Sequence, residues 1–108
     1  MLLATTYELP GGERVRLRLA RPTDVPLVRE FLEQLWPEEP IGGELVRYFT
    51  FYDPRERMVV AATLPSEGFE RIVGLADREL VVEDDLDGLA SLLSEAVTPQ
   101  ARGLARAA

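Results

Sequence analysis

Residues Leu80 to Val97 read LVVEDDLDGLASLLSEAV: a buried strand, a short acidic turn with one glycine, and an amphipathic helix. No other stretch constrains the chain as much. A strand that runs into a helix N-terminus presents unpaired backbone N–H groups and the positive end of the helix dipole, the geometry in which an anion such as phosphate is held. Glu83, Asp84, Asp85 and Asp87 place four carboxylates at the same spot, and their charge opposes such a ligand.

Upstream, Leu3 to Leu9 and Glu13 to Ala20 flank Pro10-Gly11-Gly12, which predicts two antiparallel strands joined by a tight turn. In the second, Val15, Leu17 and Leu19 alternate with Arg14, Arg16 and Arg18, the period of a strand with one buried and one solvated face. Asp24 is the expected cap of a helix with Pro26 in its first turn and an apolar stripe of Val25, Val28, Phe31, Leu32 and Leu35. Trp36-Pro37 ends it. From Glu44 a second short helix sets Leu45, Tyr48, Phe49 and Tyr52 to one side, as core. After the turn at Asp53-Pro54-Arg55, Met58 to Leu64 and Arg71 to Leu75 read as strands in mid-sheet covered on two faces. The third helix runs from about Gly88 to Val97, with Leu89, Leu92, Leu93, Ala96 and Val97 inward, and Thr98-Pro99 closes it. The expected architecture is a single α/β or α+β domain over 1–108, a mostly antiparallel sheet flanked by about three helices, with 98–108 as a disordered tail.

At 108 residues the chain suffices for one core and not two. A net charge of −7 argues against nucleic acid or an anionic membrane as partner, since both need a basic footprint. Cysteine and histidine are absent, which removes thiol nucleophiles, disulfides, zinc sites and the usual histidine base; no metal is expected. Any chemistry falls to a carboxylate, tyrosine or hydroxyl. All twelve basic residues are arginine, and lysine and asparagine are missing, a bias that points to a GC-rich bacterial genome. MLLATTYELP has no positive n-region, and its apolar run is too short for a signal peptide or a membrane span, so the cytoplasm is the expected compartment.

The segments VRLRLARPTD, YFTFYDPRERMVVAATLP, ERIVGLADREL and LVVEDDLDGLASLLSEAV together resemble the GNAT acetyltransferases. The likeness is nearest to the branch that acetylates protein lysines, and it spans about Thr5 to Val97. It implies an acetyl-CoA cofactor and direct acyl transfer to an amine. Val81-Val82-Glu83-Asp84 matches the family's strand end, and Leu89-Ala90-Ser91-Leu92-Leu93 its helix start. The pyrophosphate loop between them is about two residues shorter than the family's and lacks its first glycine and its arginine. Gly88 and Ala90 fall on the last Gly-x-Gly/Ala. The resemblance thus implies cofactor contacts at Val81, Val82, Gly88, Leu89, Ala90 and Ser91, and Glu79 or Glu83 as the base that deprotonates the amine. Beyond Val97 the family's further strand, helix and final hairpin have no counterpart. Tyr48 and Tyr52 match positions in the family's second helix and do not take the role of its thiolate-protonating tyrosine.

Two function classes follow. One is an acetyltransferase whose acetyl-CoA binding is weak or lost. The other is a non-catalytic module that forms a homodimer, or is completed by a separate protein subunit, through an open sheet edge at Leu80 to Glu83 or through the apolar surface that the family's C-terminal half covers.

Overall fold

The computed structural model describes residues 5–97; the expected tail at 98–108 and the first residues of the first strand lie outside them. Strand β1 (Thr5–Glu8) turns at Gly12, whose φ of 94° suits glycine, into β2 (Arg14–Leu19). A 3-10 turn at Pro22–Asp24 leads into α1 (Val25–Leu35), followed by α2 (Gly43–Thr50). Strands β3 (Val60–Ser66), β4 (Phe69–Ala76) and β5 (Val81–Glu83) complete the sheet, and residues 89–97 form a helix, α3. The sheet order is β1-β2-β3-β4-β5 with every pair antiparallel, so of the two classes the sequence allows, α+β is the one observed.

Helices cover both faces. On one, α1 and α2 set Val28, Phe31, Leu32, Val46 and Phe49 against Val59, Ala61, Ile72, Leu75 and Val82. On the other, α3 sets Leu89, Leu93, Ala96 and Val97 against Val15, Leu17, Val60, Ala62 and Val73. Consecutive residues of β3 therefore feed two cores, which is why Met58 to Leu64 is nearly all apolar instead of alternating. The register slips once: Ala62 faces Gly74 while Thr63 faces Ile72, leaving Val73 as the extra residue of a bulge. The slip turns Gly74 toward α3, where a Cβ would lie 2.6 Å from Leu93 Cδ1 and 3.4 Å from Glu83 Cβ. The third helix thus sits close against β4.

Two local expectations are corrected. Arg14 and Arg16 are solvated, but Arg18 is only 6% exposed. Helix α1 begins directly over its end of the strand, and Arg18 grips Asp24 through Nη1 and Nη2 at 2.7 and 2.8 Å and Glu70 through Nε at 3.1 Å. The Asp24 carboxylate also accepts the Arg21 amide at 2.7 Å. Asp24 stands at the N-cap of α1 with no side-chain cap bond to it, because its oxygens are already engaged.

Candidate functional site

Strand β5 is an edge of the sheet among the described residues. The Asp84 amide donates to Val73 O and the Asp77 amide to Leu80 O, with Val82 facing Leu75 between them. Backbone groups of an antiparallel strand alternate in direction. Leu80, Val82 and Asp84 thus turn theirs toward β4, and Val81 and Glu83 turn theirs outward. The Val82 side chain belongs to the core under α1 and α2, whereas Val81 packs on the α3 side.

The chain leaves β5 through a tight loop. The Leu86 amide donates to Asp84 O at 2.7 Å, and the Leu89 amide to Leu86 O at 3.0 Å. The first bond along α3 that is helical in spacing runs from the Leu92 amide to Gly88 O. Of the four residues expected to cradle pyrophosphate, Leu89 has a fully buried side chain and a committed amide, while Ala90 and Ser91 stand exposed on the first turn. Gly88 has φ 84°, and a Cβ there would lie 2.8 Å from Pro10 Cδ. The close approach that requires glycine at this point is therefore to the β1–β2 turn. Arg71 pairs with Asp84 at 3.4 Å, and Asp85 and Asp87 are exposed.

The two candidate bases are not brought together. Glu83 lies opposite Gly74 on the α3 side of β5. Glu79 is exposed in the turn before the strand, roughly 13 Å of extended chain away. It borders a cavity of about 630 Å³ with Tyr48, Glu56, Arg57, Asp77 and Arg78.

At the wall of that cavity is a polar cluster not anticipated from the sequence. Asp77 is 3% exposed. Its Oδ1 accepts the amides of Glu79 and Leu80 at 2.9 and 2.8 Å, and its Oδ2 accepts the Tyr48 hydroxyl and Arg57 Nη1, the latter at 3.1 Å. The guanidinium of Arg57 lies 4.2 Å from the centre of the Tyr48 ring and 5.4 Å from that of Tyr52, within cation–π range. Burial pushes the Asp77 carboxyl up, but the Tyr48 hydroxyl, the two amides and the Arg57 charge together hold it below the usual carboxylate range. The same bond to Asp77, with burial, pushes Tyr48 up. The aromatic stripe of α2 is thus core at Phe49 and polar at Tyr48. A sequence signal existed in Asp77-Arg78-Glu79, an aspartate placed to fold back on amides two and three residues ahead, but the partner across the fold was invisible.

Comparison of the chain with protein-family models, curated proteins and solved structures found no match. Among the described residues no group of three or more His, Cys, Asp or Glu side chains could hold a metal ion, and no helix is long and apolar enough to cross a membrane.

Proposed function

We propose that the chain is a GNAT-type N-acetyltransferase-like domain whose cofactor edge is used chiefly to pair with a second copy. The observation that carries this is the β5 edge itself. Val81 and Glu83 turn backbone donors and acceptors outward beside Leu80, which is 38% exposed, and such an edge is a template for another strand or for an extended ligand with amides of its own.

In the enzymatic reading, Val81 and Val82 would hold the pantetheine arm of acetyl-CoA. Its pyrophosphate would have to be held by the amides of Gly88 to Ser91, and the amine would enter the cavity beside Glu79. Acetyl-CoA would supply the thioester for acyl transfer to the amine, and Glu79 would take the amine proton. Glu83 is the second candidate base, on the opposite side of the strand from Val82. Three features weaken this mode: Pro10 fills the open side of Gly88, the Leu89 amide is spent on Leu86, and Asp85 and Asp87 stand at the phosphate position. The cytoplasm is the proposed compartment.

Sedimentation at micromolar concentration is expected to return about twice the 12.1 kDa chain mass, and a monomer there would overturn the pairing. Acetyl-CoA is expected to bind weakly. Replacing Asp85 by Asn together with Asp87 by Gln should tighten it roughly fivefold or more, since a like charge at about 4 Å is worth about 1 kcal/mol in water. Calorimetry showing tight binding to the native chain, weakened by that double substitution, would overturn the account of the loop.

A further inference from the structure

Strand β5 carries opposite chemistry at its two ends. Just before it stands Arg78, exposed beside the cavity. Just after it come Asp84, Asp85 and Asp87, of which Asp84 is taken by Arg71. Among the described residues no ion pair engages Arg78, Asp85 or Asp87. The strand between them offers outward backbone groups at Val81 and Glu83 only.

We infer that the occupant of this edge is a second copy of the chain, its β5 running antiparallel, with Arg78 of each copy set against the acidic loop of the other. This rests on the reading of the β5 edge as a pairing surface. A closed two-fold pair that continues one sheet runs its two edge strands antiparallel, and the interface is then self-complementary. Antiparallel pairing also sends the two acidic loops to opposite ends, whereas parallel pairing would stack them.

The register follows from the outward groups. Setting Val81 opposite the partner subunit's Glu83 uses all of them, two residues on each strand, and centres the two-fold at Val82. Sliding so that Glu83 meets the partner subunit's Glu83 would oppose like charges directly, which destabilises a strand pair. Sliding the other way leaves Glu83 facing the Glu79 end of the partner. In the favoured register Arg78 lies across from the loop that holds Asp85 and Asp87. Glu79 shares that end and works against the pairing, so neutralising it should strengthen the dimer.

The test is sedimentation equilibrium of the full chain in low and high salt with three variants, all at exposed positions: Arg78→Glu, Asp85→Arg with Asp87→Arg, and Glu79→Gln. Expected is a native dimer that weakens as salt rises, with Arg78→Glu and the double arginine variant each weaker by roughly three- to tenfold, the range of about one exposed charge pair per end. Glu79→Gln should bind more tightly. Mixing Arg78→Glu with the double arginine variant should restore a heterodimer of near-native affinity, because both ends are then complementary again. Far-ultraviolet circular dichroism spectra matching that of the native chain show that each variant is folded. A native dimer indifferent to salt and to Arg78→Glu, or a mixture that gains nothing, would overturn the charge-paired register and leave the edge pairing standing. A native chain monomeric in low salt would overturn both.

Discussion

Arg18 meets Asp24 and Glu70 in a site where the Arg18 and Asp24 side chains are 7% and 3% exposed. Burial pushes Asp24 up, but the bonds from Arg18 and the Arg21 amide hold it below the usual carboxylate range, and Glu70 is lowered against its own burial by the same guanidinium. Removing one partner of such a group leaves a charge in low dielectric, so Arg18→Met should lose about 3–5 kcal/mol in urea unfolding. Asp24, Glu70 and Asp77 all have lowered folded-state pKa values. The stability they contribute is therefore fully present above the unfolded carboxylate pKa of about 4, and is lost as pH falls through the folded values. Urea midpoints should be flat from about pH 5 to 7 and drop steeply below about pH 4. An unchanged midpoint at about pH 3 would mean that these contacts do not persist in solution.

The elements are held by a few side chains that their helical spacing identifies. Leu32 and Leu93 are both fully buried, on opposite faces of the sheet, and each truncation to alanine should cost roughly 2–5 kcal/mol. Leu93 additionally fills the space beside Gly74, so its loss also loosens α3 from the β4–β5 edge. Proline separates the two sides of β5. Val82→Pro removes a donor directed at Leu75 and should destabilise the fold, whereas Glu83→Pro removes one directed outward and should weaken the proposed dimer while leaving the melting midpoint of the dilute monomer nearly unchanged. Circular dichroism melts paired with sedimentation read both effects, and equal effects of the two prolines would show that the outward assignment is wrong.

For the whole molecule, nineteen acidic side chains against twelve arginines give a net charge of −7, and self-repulsion of that size is screened by salt. The ion pairs of Arg18 are buried and feel salt little. The chain should therefore melt at a higher temperature in about 0.5 M salt than in about 0.02 M, even as the proposed dimer weakens over the same range. Calorimetric scans at a concentration low enough to hold the monomer check the first of these; a falling midpoint would mean that exposed ion pairs, not repulsion, dominate its electrostatics.

Local pattern alone determined much of this molecule: the strand–turn–helix of Leu80 to Val97, the stripe of α1, the twice-covered β3 and the Pro10-Gly12 turn follow from periodicity and backbone preferences within a few residues. The fate of Arg18 did not, because its alternation with Leu17 and Leu19 is that of a solvated face, and only the arrival of α1 overhead buries it. The union of Tyr48, Arg57 and Asp77 likewise joins α2, the segment after it and the end of β4. Gly88 has the same letter whether it admits a phosphate or packs on Pro10, and the choice depends on where the β1–β2 turn comes to rest. Periodicity records which way a side chain points relative to its neighbours in sequence; what it meets there is set by contacts between segments distant in the chain, and those exist only once the sheet and its two helical layers are assembled.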